Sequence, residues 1–396
     1  MPSATPLPDP DRLLESAVAA TGLSDFGPPS FREGLSRLVD SLNGEADLNP
    51  LGRAMAEGQI SAALANRLRI EACYAAHPEI ENERIASPLV IAGMSRSGTT
   101  ALSHLLGRDP SLRSLLGWEA NDSVPPPEMA TYETDSRFLA AKERDAVAEQ
   151  AMPGFRALHY DPPDAPMECA LLFNHEFNSS ALWTTFSIPS YMAWTLETDP
   201  TPAYAWHARM LKLLQSRKPG RWSLKAPQHA TTLEALRARY PDAKLIVTHR
   251  DPTVCAASTM SLTAFLQGKT SGHTSGHTSG HASPRESAVR VADFIERCCN
   301  GLLEQARRHG DDSMIHVPYP ELVARPMAVV ERIAEAVGHA LTPAALVAIE
   351  RQIADRGEHR HGVHRYALED YGFRREELDE RYRAYREHFG IALERK

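Results

Sequence analysis

Eight residues, Gly93-Met-Ser-Arg-Ser-Gly-Thr-Thr100, follow directly on the apolar run Pro88-Leu-Val-Ile-Ala92. The run reads as a buried strand, and the glycines and hydroxyls behind it as a turn that enters a helix. Such a turn presents unpaired backbone N–H groups backed by the positive end of the helix dipole, and its natural chemistry is anion binding. Gly93 and Gly98 let the backbone come close to a ligand. The hydroxyls of Ser95, Ser97, Thr99 and Thr100 and the guanidinium of Arg96 supply further donors. An ordinary strand-to-helix connection uses the same residue types, so the loop alone does not decide. It differs from a triphosphate-binding loop at one point: Thr99 stands where a lysine would contact the terminal phosphates. That substitution points to a 5′-phosphate carrying a less charged group.

A second concentration of polar residues lies in Trp222-Ser-Leu-Lys-Ala-Pro-Gln-His229 and in Lys244-Leu-Ile-Val-Thr-His-Arg250. Arg250 ends an apolar strand pattern, which is the edge of an open parallel sheet where ligands gather. Ser258 lies two helical turns further on, in a helix opened by Asp251 as N-cap and Pro252 in the first turn.

These residues must be carried by alternating strands and helices. Strands are expected at 88–92, 221–226, 243–249 and 313–318, with one more ending near Glu119; helices at 61–77, 99–107, 228–240, 285–309, 327–337, 343–354 and 376–388. The alternation predicts an α/β fold, a parallel sheet flanked by helices on both faces. Between 120 and 220 the strand pattern fades into helices at 136–152, 166–177 and 202–218, an insertion placed to act as a lid. The first 27 residues, rich in proline and aspartate, read as an arm or loosely docked helix. The division expected is a lead-in over 1–84 and a main domain over 85–396, with a flexible loop at about 268–284. That loop holds a Thr-Ser-Gly-His repeat; its His273, His277 and His281 are four apart, but a glycine in every repeat disfavours the helix that would stack them on a metal.

The stretch from Pro88 to Glu119 resembles the 5′-phosphosulfate loop of sulfotransferases that use 3′-phosphoadenosine 5′-phosphosulfate (PAPS). The stretch from Trp222 to Ser261 is similar to the same family's 3′-phosphate signature, and the segment from His316 to Gly338 to a later helical part of its fold. The likeness, to the bacterial branch, implies a P-loop-like sulfotransferase fold with a helical lid. It also implies PAPS as cosubstrate, no required metal, and a hydroxyl of a small-molecule or lipid-like acceptor as the target. Carried onto this chain, it gives the 5′-phosphosulfate to Arg96, Ser97, Gly98, Thr99 and Thr100 and the 3′-phosphate to Arg250 and Ser258.

For catalysis the likeness implies a base and a cation on the leaving oxygen. Glu119, shielded by Trp118, corresponds to the glutamate base of some relatives; His229 and His175 are weighed against it because a histidine serves elsewhere in the superfamily. Lys225 matches the lysine expected on the leaving group. In the tail, Arg360 and Arg365 lie where other members close over the 3′-phosphate, though the wording of the segment differs.

Composition narrows the setting. With 43 basic against 51 acidic residues the formal net charge is −8, so nothing draws the whole chain to nucleic acid or to an anionic membrane. The five cysteines show no C-x-x-C spacing, no apolar run is long enough to span a membrane, and the N-terminus lacks a signal pattern. A cytoplasmic protein is expected, and a homo-oligomer stays open. Aromatic residues in the insertion, Phe155, Tyr160, Phe173, Phe177, Trp183, Phe186, Tyr191 and Trp194, fit an apolar acceptor and core packing equally. Two other readings stand beside the first: a kinase or NTPase with Asp251 on Mg²⁺, and a nucleotide-binding protein without turnover.

Overall fold

The computed structural model describes residues 6–151, 162–272, 284–355 and 367–394. Phe155, Tyr160, His273, His277, His281, Arg360 and Arg365 lie outside them.

Five strands, β1 (Leu89–Gly93), β2 (Leu112–Ser114), β3 (Arg221–Lys225), β4 (Lys244–His249) and β5 (Met314–Pro318), form one sheet in the order β2-β3-β1-β4-β5. Every pairing is parallel. Successive side chains of a strand point to opposite faces, and both faces here are apolar. Val90 and Ala92 of β1, with Leu245 and Val247 of β4, enter one core; Leu89, Ile91 and Ile246 enter the other. Two buried faces explain why these strands read as unbroken apolar runs.

The N-terminal segment is docked rather than loose. Asp9 caps the helix Pro10–Thr21, its carboxylate accepting the Arg12 amide at 2.9 Å, and Leu13, Leu14 and Ala17 are buried. With Phe31–Gly44 and Pro50–Ala76 this helix feeds the same core as Val90. Arg67 fastens the lead-in to the insertion. Its Nη1 donates to Glu176 Oε1 (2.6 Å) and His175 O (2.8 Å), and its Nε to Phe26 O (3.1 Å).

Several expected elements differ in extent: the helix expected over 61–77 belongs to the longer Pro50–Ala76, and that over 166–177 shortens to Ala170–Phe173 with a turn at Asn174–Glu176. The second strand ends at Ser114, and Glu119 lies in the short helix Gly117–Asn121. The helix expected over 228–240 splits into a 3-10 turn, Pro227–Thr231, and Leu233–Arg239, because Thr231 and Thr232 turn their hydroxyls back to Gln228 O at 2.9 and 3.1 Å. The helix over 376–388 breaks at Tyr382, which is buried with its hydroxyl donating to Ala292 O at 3.1 Å.

Candidate active site

The loop after β1 is built to turn sharply against β4. A side chain at position 93 would place its Cβ 2.6 Å from Thr248 Oγ1, so only glycine fits. Ser97 is fully buried; its Oγ donates to Met94 O and pairs with Thr248 Oγ1, both at 2.7 Å. The hydroxyl expected to meet a ligand is therefore used inside the protein, where it pins the loop. Gly98 takes φ 101°, a left-handed conformation that non-glycine residues rarely adopt, and it precedes the helix Thr99–Leu106. Arg96 is also left-handed, at φ 69°. Non-glycine residues hold that conformation only where the surroundings enforce it, and such positions cluster at functional sites. The amides of Thr99 and Thr100 open the Thr99–Leu106 helix, where a helix has no preceding turn to bond to.

The lysine missing from the loop comes from the next strand. The register sets Lys225 of β3 beside Ile91 of β1, and its Nζ donates to Thr100 Oγ1 at 2.9 Å. Lys225 is 1 % exposed, and its nearest carboxylate is Glu168, 3.6 Å away. Glu168 was not singled out by the sequence. Backbone bonds on either side place it: Met167 N donates to Leu115 O (2.7 Å) and Cys169 N to Lys225 O (2.8 Å).

Arg250 leaves the end of β4 toward the same loop. Its Nη1 donates to Arg96 O at 3.1 Å, its guanidinium lies 4.0 Å over the ring of Tyr319, and its Nε and Nη2 fork onto Glu394 at 2.8 and 2.9 Å. Arg96 in turn donates through Nε to Ser258 Oγ at 3.0 Å. The two polar clusters, far apart in the chain, are thus bonded to each other. Asp251 caps the next helix through the Thr253 amide (3.0 Å) and accepts from Arg375 (2.9 Å) and the Glu394 amide (2.8 Å). Its carboxylate is committed to the fold, so the Mg²⁺ role considered for it has no support in the geometry.

Around these groups opens a cleft of about 520 Å³. Arg96, Gly98, Thr99, Thr100, Glu168 and Arg250 line it, with Trp183, Leu262, Leu266 and Phe294 as an apolar wall. Of the aromatic residues considered for an acceptor, Trp183 faces this space; Phe173, Phe177, Phe186 and Tyr191 are in the core.

The model of the sulfotransferase family matches residues 88–343. The chain belongs to that family. Over 98 % of its length it is similar to the sulfotransferase STF9 of Mycobacterium avium, with 31 % identity, a TM-score of 0.89 and 99 % of that chain covered. The sulfotransferase STF1 of Mycobacterium tuberculosis H37Rv aligns over 96 % of this chain and 99 % of its own, at 30 % identity and a TM-score of 0.82. No curated protein matches.

Within this sulfotransferase, two expected catalytic residues lie away from the cleft. Glu119 is fully buried, ion-paired with Arg113, and accepts the Leu116 amide at 3.0 Å. Both oxygens are engaged and neither faces the cleft, so Glu119 caps and anchors where a base was expected. His229 is buried behind β3, its Nδ1 at 2.8 Å from Tyr204 Oη, and burial lowers its pKa to about 3. A ring so reluctant to take a proton is a poor base, and it does not line the cleft. His175 is similar: it packs against Asn66 Nδ2 (2.9 Å), and burial, reinforced by the nearby Arg67 charge, lowers its pKa to about 4.

Proposed function

We propose that this sulfotransferase moves the sulfuryl group of PAPS to a hydroxyl of an acceptor with an apolar body, using Glu168 as base. The observation that carries the reading is the placement of Lys225 Nζ: bonded to Thr100 Oγ1 at the mouth of the loop and 3.6 Å from Glu168. A cation, helix-terminal amides and a carboxylate meet on one side of the cleft.

The residues present fit such a donor. The loop amides with Thr99, Thr100 and Lys225 match a 5′-phosphosulfate, and the fork of Arg250, which already holds the planar anion of Glu394, matches a 3′-phosphate. Ser258 supports this indirectly, by orienting Arg96. Bound there, PAPS supplies an activated sulfur whose bridging oxygen departs as a phosphate.

The chain's own groups then have separable tasks. Glu168, 26 % exposed, reaches the cleft and can take the acceptor's hydroxyl proton on a carboxylate oxygen as the oxygen–sulfur bond forms. Lys225 and the loop amides meet the negative charge left on the phosphate oxygen as its bond to sulfur breaks. The sulfate ester and adenosine 3′,5′-bisphosphate account for all atoms. Trp183, Leu262, Leu266 and Phe294 exclude water from this side and favour an apolar acceptor. A cytoplasmic setting belongs to the same reading: all five cysteines are unpaired and buried, and no described helix is long and apolar enough to cross a membrane.

Thermal unfolding with ligands tests the donor. Stabilisation by adenosine 3′,5′-bisphosphate in a chelator, together with transfer of labelled sulfate from PAPS to hydroxyl acceptors, is the expected result. Stabilisation by ATP with Mg²⁺ alone would overturn the assignment.

A further inference from the structure

Cys169, His207 and His229 come from three separate elements and converge beneath the cleft. Cys169 precedes the helix Ala170–Phe173, His207 lies on Thr201–Gln215, and His229 sits in the turn after β3. Sγ of the cysteine and one nitrogen of each imidazole lie within 4.8 Å of one another, and each residue is at most 1 % exposed.

The hydrogen bonds are distributed as a ligand set requires. His207 Nδ1 is 2.6 Å from Tyr240 Oη, and His229 Nδ1 is 2.8 Å from Tyr204 Oη. The Tyr204 hydroxyl also meets Thr232 Oγ1 at 2.9 Å, so it can donate there and accept from the ring. When Nδ1–H of His229 donates to Tyr204 and Nδ1–H of His207 to Tyr240, the lone pair of each Nε2 is left for something else. Both Nε2 atoms are buried with no hydrogen-bond partner among the described residues. Buried ring nitrogens are rarely left so, and an ion or a water between them is a standard reason. An outer hydrogen bond fixing the tautomer of an imidazole ligand is also the usual second layer of a metal site.

We infer that Cys169 Sγ, His207 Nε2 and His229 Nε2 form a structural site for one thiolate- and imidazole-seeking metal ion of the Zn²⁺ or Cu⁺ class. Sulfur with two imidazoles suits both ions, whereas Mg²⁺ and Ca²⁺ require oxygen ligands. Metal–ligand bonds of about 2.0–2.3 Å would draw the three atoms together by roughly 1 Å. Binding forms one metal–sulfur and two metal–nitrogen bonds and releases the thiol proton to solvent. Charge separates the two ions: one thiolate neutralises Cu⁺, while Zn²⁺ leaves a positive charge or takes a water or hydroxide as fourth ligand. The ion would tie the backbone around Cys169 to β3, to which it is already joined by the Cys169 N to Lys225 O bond.

The test uses the untagged full chain with His273, His277 and His281 changed to alanine, so that the histidine repeat cannot hold metal. It is expressed in medium supplemented with zinc or with copper, and its metal content is read by mass spectrometry. The expected result is about one equivalent of one of these ions per chain, reduced at least tenfold in Cys169→Ser. Zinc or copper in that count identifies the ion. Cobalt-loaded protein should show a thiolate-to-metal charge-transfer band that Cys169→Ser lacks. Metal-free protein from both media, with an unfolding midpoint that added zinc or cuprous ion leaves unchanged, would overturn the site and leave a trapped water as the partner of the two nitrogens.

Discussion

Arg250 and Glu394 form a two-bonded ion pair, Nε to Oε1 at 2.8 Å and Nη2 to Oε2 at 2.9 Å, at the edge of the cleft. A tail carboxylate therefore occupies the fork assigned to the 3′-phosphate. The Glu394 amide is itself held by Asp251 and its carbonyl by Arg375, so the tail is docked rather than passing. If ligand and tail compete for one guanidinium, freeing the guanidinium improves binding and removing it destroys binding. Glu394→Ala should tighten adenosine 3′,5′-bisphosphate by about 3- to 10-fold, and Arg250→Ala should weaken it roughly 10- to 100-fold. Isothermal calorimetry reads both; equal affinities in the three proteins would place the 3′-phosphate elsewhere.

Glu168 and Glu119 should separate cleanly by substitution. Glu168→Gln keeps the size and one acceptor oxygen of the side chain but loses its charge and cannot take a proton. Turnover should fall about 10²- to 10⁴-fold with bisphosphate affinity within about 3-fold of the parent. Single-turnover kinetics beside calorimetry checks the split, and retained turnover would remove Glu168 from the reaction.

Glu119→Ala should act on folding. It leaves the Arg113 guanidinium, 1 % exposed, without its carboxylate, and breaking one partner of a buried pair costs about 3–5 kcal/mol. Urea unfolding should show that loss, while the folded fraction keeps its bisphosphate affinity. An unchanged midpoint would contradict the anchoring role.

The loop, the strands and Arg250 were legible because local pattern determines them. An apolar run ending in glycines and hydroxyls folds one way, and a strand's last residue must emerge at the ligand edge of a parallel sheet. Glu168 was not legible, since its place depends on backbone bonds to Leu115 and Lys225, which are distant in sequence. The inward turn of the Ser97 hydroxyl was not legible for a related reason: in a tight loop a hydroxyl can face either way, and Thr248 on β4 is there to receive it. Glu119 did carry a local signal, three residues after Leu116 at the start of a short helix, where a glutamate reaches back to the N-cap amide. His229 looked catalytic through its nearness to Lys225 in sequence, but the turn Pro227–Thr231 buries it with its Nδ1 on Tyr204 Oη.

Lys225 is expected to matter more for the transition state than for binding. Lys225→Met preserves the length of the side chain in its buried slot but removes the charge and the bond to Thr100 Oγ1. The rate of sulfate transfer should drop about 10²- to 10³-fold, with a bisphosphate affinity loss below about 10-fold. Comparable losses in both would show that the lysine serves ground-state binding.

Buried histidines also set how the fold responds to acid. His175, lowered to about 4 by burial and then by Arg67, and His249, lowered to about 3 by burial and then by His316, are neutral in the native protein. The ordinary imidazole value, which the unfolded chain keeps, is 6.5. Below that pH the unfolded chain binds protons that the native one refuses, so the stability these neutral rings contribute is complete above 6.5 and is lost as pH falls toward the folded values. Each contributes a slope approaching about 1.4 kcal/mol per pH unit, and between about pH 6.5 and 5 the carboxylates add little of their own. Urea midpoints across that window should fall steadily in the parent and less steeply in His175→Gln, which has no proton to take. A parallel slope in the variant would mean that His175 is charged, or free to become so, in the folded protein, against its packing on Asn66 and Arg67.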